Sequence, residues 1–264
     1  MLGWVLAEAE QLDHLTRNLN WIPEFMKDMT PGQRLSLLFP VAYLLGSIPF
    51  GMVVGRWKGI DVTRQGSGNI GATNVGRLLG KKYFYIVFFL DLFKGLLPVL
   101  AAHFLLVDVR RDSNGFLPAN IYLLWLAIGF ASIGGHMFSV FMKFKGGKGI
   151  ATSLGVMLGL FPYFTLPAVP VFFIWLIVFK ATRYVSLASI IGAVSFPIVY
   201  LIVGYARGWP VFREQLPLTI FAFVVAALIV IKHRGNIRRL REGREPHYHP
   251  AKHRSSSSQP AQAN

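Results

Sequence analysis

The sequence predicts an all-α integral membrane protein of about seven transmembrane helices, and three observations carry that prediction. Of 264 residues, 53% are hydrophobic and only 15% charged, with a mean hydropathy of +0.48; a soluble domain carries about a quarter charged residues. Five runs, 35–54, 83–107, 117–142, 184–206 and 214–231, approach the ~20 apolar residues needed to cross a bilayer. The 27 Lys+Arg, set against 12 Asp+Glu, are gathered into short segments between those runs. A net charge of +15 on a polar chain would suggest nucleic acid, but on this apolar one it does not. With no cysteine, disulfides, thiolate nucleophiles and cysteine metal sites are excluded.

Residues 1–33 read as an amphipathic extension, with Leu2, Val5, Leu6, Ala9, Leu12, Leu15, Leu19 and Ile22 at helical spacing between Trp4 and Trp21. Glu8, Glu10 and Asp13, without a basic n-region, argue against a signal peptide. Residues 34–246 form the membrane domain. Within it, 149–179 is too long for one span and too short for two, and Pro162, Pro167 and Pro170 punctuate it; two short helices, 149–162 and 165–180, are expected. The resulting seven elements place 56–82, 143–148, 180–183 and 232–254, which hold 19 of the 27 basic residues, on one face. Basic loops are cytoplasmic, so the N-terminus is expected outside and the C-terminus in the cytoplasm. Residues 247–264, with Ser255 to Ser258, read as a disordered basic and Ser-rich tail. His247, His249 and His253 lie there without the fixed geometry or further ligands of a metal site.

Two glycine-rich segments on the basic face read as anion cradles. In Gly66-Ser67-Gly68-Asn69-Ile70-Gly71-Ala72-Thr73-Asn74, with Arg77 beyond, glycines let backbone N–H groups turn inward. Ser67 and Asn69 add donors, and Arg77 can grip a phosphate with two of its own. A plain linker does not need Asn twice beside Gly and Thr. In Lys143-Phe144-Lys145-Gly146-Gly147-Lys148-Gly149, the three glycines with Lys145 and Lys148 open the helix at 149, combining backbone N–H groups, helix dipole and point charges. A positive-inside anchor explains those lysines but not the glycines. The Walker pattern GxxxxGK[ST] is absent, which disfavours nucleotide hydrolysis. Ser186 and Ser189 share one face of a span, and His233 and Asn236 are likewise three apart. Singly, each is as well explained by helix packing or lipid contact. Asp91 and Lys94, one turn apart inside a span, suit a structural clamp. His103 and Asp108 have the H-x4-D spacing of thioester-using acyltransferases but sit on the wrong face. Two anion sites beside apolar spans suit a reaction between anionic partners, one of them lipid. An organic-phosphate transporter with discontinuous helices is the alternative, although the chain has no internal repeat.

The segments GSIPFG at 46–51, GSGNIGATNVGR at 66–77, FFLDLFKG at 88–95, GHMFSVFMKFKGGKGIATSLG at 135–155, RYVSLAS at 183–189 and HRGNIRRLREGRE at 233–245 together resemble the acyl-phosphate glycerol-3-phosphate acyltransferase (PlsY) family of bacterial inner-membrane enzymes. Ser139 stands where that family usually has Pro, and Gly235 where it usually has Glu. The resemblance implies transfer of a fatty acyl group from acyl phosphate to the sn-1 hydroxyl of glycerol 3-phosphate, giving lysophosphatidic acid and inorganic phosphate. It implies a multi-pass enzyme with its site facing the cytoplasm, no metal or other cofactor, and the soluble acyl-phosphate-forming enzyme as a partner. Carried over residue by residue, it implies a catalytic set of Ser189, His233, Asn236 and Lys148. The implied substrate-binding set is Ser67, Gly68, Asn69, Arg77, Lys145, Gly146, Gly147, Gly149 and Ser186, and Glu245 is implied to be structural.

Overall fold

The computed structural model describes residues 23–106, 109 and 115–248, and every regular element among them is helical. Short α1 (Glu24–Lys27) leads into α2 (Pro31–Ser47), which a capping box starts: Thr30 Oγ1 accepts from Gln33 N while the Gln33 side chain accepts from Thr30 N. The first span thus begins at Pro31, before the predicted 35. It also breaks, because Pro49 bars helical geometry at Ile48 and supplies no N–H; α3 (Phe50–Trp57) resumes beyond it. The break frees the carbonyls of Ser47 and Ile48. Ser139 Oγ donates to the first at 2.5 Å and Lys94 Nζ to the second at 2.8 Å.

Then come α4 (Ala72–Leu79), α5 (Lys81–Leu105), α6 (Ala119–Met137), a 3-10 turn (Val140–Met142), α7 (Ile150–Gly159), α8 (Thr165–Thr182), α9 (Val185–Ala206), α10 (Leu216–Lys232) and α11 (Arg234–Arg241). Among the described residues, five helical segments are long and apolar enough to cross a membrane; α10 with α11, bent by 56°, makes a sixth candidate, and ten-residue α7 is shorter. The stretch 149–179 is therefore asymmetric. Its first helix is shorter than expected, while α8 at 18 residues is a full-length candidate, not a short helix. Pro167 falls in the first turn of α8, where N–H groups have no intrahelical partner, so only Pro170 costs an interior bond.

Glycines set the closest approaches. Gly46 and Gly135 bring α2 against α6, and Gly95 and Gly155 bring α5 against α7, with the facing backbone where a Cβ would stand. Without a hydrophobic force between helices in lipid, such contacts supply the dispersion energy of association. Helix α6 is central, with 61% of its span buried; α8 is peripheral at 11%, packing on α7 and α9. Asp91 and Lys94 pair at 2.7 Å inside this core, and His136 Nδ1 lies 3.6 Å from Asp91. A cluster holding lysine, carboxylate and imidazole together lowers the cost of placing charge in a span.

Candidate active site

The first glycine-rich loop is organised by Asn74, which is 1% exposed. Its Nδ2 donates to the carbonyls of Val62 (3.0 Å) and Gln65 (3.1 Å), and its Oδ1 accepts from Ser67 N at 2.8 Å. Gly66 and Gly68 flank Ser67 at φ +60° and +69°, and a Cβ on Gly66 would fall on the Asn74 carbonyl oxygen. Asn69 Oδ1 accepts from Gly71 N at 2.8 Å, an Asx turn that leads into α4. Ser67 and Gly68 face water at the loop tip, and α4 carries Arg77 inward from it.

The second loop is moulded on His136. Gly147 N donates to the His136 carbonyl at 3.0 Å, and a Cβ on Gly147 would meet the imidazole ring. Gly146 presses on the same carbonyl, and Gly149, at φ +80°, begins α7. Lys145 is exposed, while Lys148 is half-buried. Thus the Asp91–Lys94 pair, read from sequence as a clamp inside a span, meets His136, whose backbone and ring support the second glycine-rich loop. His136 carried no spacing signal of its own beyond its place in the motif.

Glu245 ties the rest together. Its Oε1 accepts from Ser186 Oγ (2.7 Å) and Asn236 Nδ2 (2.6 Å), and its Oε2 from Arg239 Nε (2.8 Å). Burial pushes the carboxyl up, but these donors more than offset it and hold it below the usual range. Arg77 Nη2 donates to the carbonyl of Pro246 at 3.0 Å, a contact 169 residues apart in sequence. Arg77 Nε is buried with no partner among the described residues. Lys148 lies within electrostatic reach of Glu245, Arg239 and Arg77, and its ammonium makes no hydrogen bond or ion pair with the described residues. Burial lowers it to about 8, with Arg239 and Arg77 pushing the same way and Glu245 opposing. Just past the end of α10, His233 is 2% exposed, and its Nδ1 lies 2.8 Å from the Ile229 carbonyl. That contact assigns the proton to Nδ1 and leaves Nε2 a lone pair. Burial, then the nearby Lys148 charge, lowers His233 to about 4, so the ring is neutral near pH 7.

The structure thus gathers Arg77, Lys148, Ser186, His233, Asn236 and Glu245 into one site. Ser189 stands apart from His233's bonding: its Oγ accepts from the Trp175 indole at 3.3 Å. Sequence reasoning missed Arg239, Trp175, Pro246 and Tyr248, which take their roles from contacts between distant segments. Of the tail expected from 247 onward, only His247 and Tyr248 are described, and both make defined contacts. His247 stacks on Tyr184 at 4.2 Å, and Tyr248 N donates to the Arg183 carbonyl at 3.0 Å. His249 and His253 lie outside the described residues, as does Asp108, the second member of the H-x4-D pair. No group of three or more His, Asp or Glu suited to a metal ion occurs among the described residues. The departures at Ser139 and Gly235 are local: Ser139 caps the α2 break, and a Cβ on Gly235 would meet only Arg239 Nη1 at 3.7 Å.

Comparison with known proteins agrees with this geometry. The family model for glycerol-3-phosphate acyltransferase matches residues 36–243. The glycerol-3-phosphate acyltransferase of Aquifex aeolicus is 44% identical over 206 residues, covering 77% of this chain and 94% of the relative. That of Geobacter sulfurreducens is 42% identical over 211 residues, covering 79% and 95%. Among solved structures, PlsY (YgiH), an integral membrane glycerol 3-phosphate acyltransferase crystallised in its glycerol 3-phosphate form, superposes with a TM-score of 0.67 at 42% identity over 82% of this chain and 96% of PlsY. Its lysophosphatidic acid form gives 0.66 at 42% identity, covering 81% and 95%. With the family's model and its relatives covering most of its length, this multi-pass membrane chain belongs to the glycerol-3-phosphate acyltransferase family.

Proposed function

We propose that the protein transfers a fatty acyl group from acyl phosphate to the sn-1 hydroxyl of glycerol 3-phosphate, releasing lysophosphatidic acid and inorganic phosphate. The observation that carries this reading is the surplus of cation in a half-buried site. Glu245 is matched by Arg239, while Lys148 and the buried Nε of Arg77 have no acceptor among the described residues. Partly buried cations without counter-charges are poised for anions. The exposed loop 66–71, with Ser67, Asn69 and Arg77, suits the water-soluble glycerol 3-phosphate. Lys148, at the glycine-rich N-terminus of the short apolar helix α7, suits a phosphate tethered to an acyl chain.

Acyl phosphate is a mixed anhydride, so its carbonyl is already activated. The protein's task is to hold the partners together and screen their charges. The hydroxyl oxygen forms a bond to the acyl carbon, the bond from that carbon to the phosphate oxygen breaks, and the electron pair leaves with phosphate. Neutral His233, protonated on Nδ1, presents an Nε2 lone pair that can orient the hydroxyl, and Asn236 is fixed by Glu245. A ring held near 4 is a weak base; the departing phosphate dianion is the stronger base and the better final acceptor of the proton. Ser189, committed to Trp175, lines the site without acting as a nucleophile.

The basic segments 56–82, 143–148, 180–183 and 232–254 suit a cytoplasmic face, with the N-terminus outside and the chain crossing a bacterial inner membrane seven times. The test uses purified protein in detergent with acyl phosphate and glycerol 3-phosphate. Lysophosphatidic acid formation, requiring no sealed vesicle, is the expected result, together with failure to trap an acyl–Ser189 adduct. Turnover with acyl thioesters but not acyl phosphate would refute the donor, and no acyl transfer at all would return the transporter reading.

A further inference from the structure

We propose that Pro246–Tyr248 is a strap that positions Arg77 for phosphate binding, with Tyr248 as its anchor; the proposal rests on the role given to Arg77 above. The strap lies beyond the family match, which ends at residue 243. The Tyr248 ring bridges helices α5 and α8, 5.7 Å from Phe84 of α5 and 6.2 Å from Phe179 of α8. Its N–H donates to the Arg183 carbonyl at 3.0 Å, just where α8 ends in a left-handed residue. Its hydroxyl covers Gly76, the residue beside Arg77: a Cβ there would come within 3.0 Å of it. His247 adds its stack on Tyr184.

Between these anchors and Glu245 sits Pro246, whose carbonyl accepts from Arg77 Nη2. An unrestrained arginine carries substantial side-chain rotamer entropy. Holding one Nη on a fixed carbonyl removes much of that freedom while leaving Nε for a ligand. The carbonyl is fixed only if both ends of the segment are. The three hydrogen bonds of Glu245 hold one end, and the Tyr248 ring and N–H hold the other. Without Tyr248, Pro246 hangs from one side and Arg77 must be ordered by the substrate itself, which weakens binding without touching the chemical step.

The test compares, in detergent, the full chain, chains cut after Tyr248 and after Glu245, and the variants Tyr248→Phe and Tyr248→Ala. KM for glycerol 3-phosphate, kcat and thermal midpoint are measured for each. The chain cut after Tyr248 and Tyr248→Phe should stay within about twofold of the full chain, while the chain cut after Glu245 and Tyr248→Ala should raise KM about tenfold with kcat within about twofold. Adding Tyr248→Ala to Arg77→Lys should raise KM little further, since both act through one contact. If the cut chain does not fold, the Tyr248→Ala and Tyr248→Phe pair decides. An unchanged KM in an active chain lacking the strap, full additivity with Arg77→Lys, or Tyr248→Phe as impaired as Tyr248→Ala would overturn the strap alone. A full chain with no turnover would overturn the acyltransfer reading and the strap's role with it.

Discussion

Lys148 offers the sharpest test, because its environment makes substrate affinity depend on pH in a defined direction. Burial lowers the ammonium to about 8, so the empty site loses this charge as pH rises through that value, well before an exposed lysine would. A phosphate bound there favours the protonated form, and by linkage its affinity must fall as the proton leaves. A hydrogen bond between charged groups contributes about 1.5–3 kcal/mol, so Lys148→Ala should lower kcat/KM for acyl phosphate by roughly 10- to 100-fold at pH 7. The fold should survive, since Glu245 keeps Ser186, Asn236 and Arg239 as donors without Lys148. In the unaltered protein, KM for acyl phosphate should rise from pH 7 to 9.5 with its bend near 8. Lys148→Arg, whose guanidinium stays charged throughout, should flatten that rise even if it lowers the overall rate. The measurement is initial-rate lysophosphatidic acid formation in detergent, corrected for spontaneous acyl phosphate hydrolysis. A flat KM profile in the unaltered protein, or an identical bend in Lys148→Arg, would refute the assignment.

Glu245→Ala strands the amide of Asn236 and the guanidinium of Arg239 in a buried site and should cost about 2–4 kcal/mol, seen as a lower thermal midpoint together with lost activity. Glu245→Gln, which keeps an acceptor but loses the charge, should fall between. Asp91→Asn leaves the Lys94 ammonium in a span without its 2.7 Å partner; breaking such a pair costs about 3–5 kcal/mol, so little folded protein should be recovered from membranes, and normal yield would contradict the pairing. Ser139→Ala removes the donor to the Ser47 carbonyl and should lower stability by about 1 kcal/mol with kinetics nearly unchanged; a loss of activity at full stability would mean that Ser139 acts at the site.

The length of the apolar runs located the spans because lipid imposes the same local demand on each. It located their breaks less well. Pro49 interrupts the first span although the run 35–54 is apolar throughout. Pro167, which looks like an interruption, falls where the start of α8 tolerates it. The two glycine-rich loops were legible as tight turns because their backbone requirements are local, as Gly66, Gly68 and Gly149 show with their positive φ. Their support was not legible. Asn74 beneath the first loop and His136 beneath the second are ordinary residues until the fold puts a backbone carbonyl or N–H against each.

Composition, span length and the placement of glycine and charge were thus settled along the chain, since hydration, helix length and φ are properties of neighbouring residues. Tertiary structure alone decided the partners of the long polar side chains. Lys94 reaches the carbonyl freed at Ile48, Ser189 meets Trp175 and not His233, and Arg77 finds the carbonyl of Pro246. Away from water a polar group takes whichever partner packing brings within about 3 Å. That choice follows from how helices distant in sequence come together.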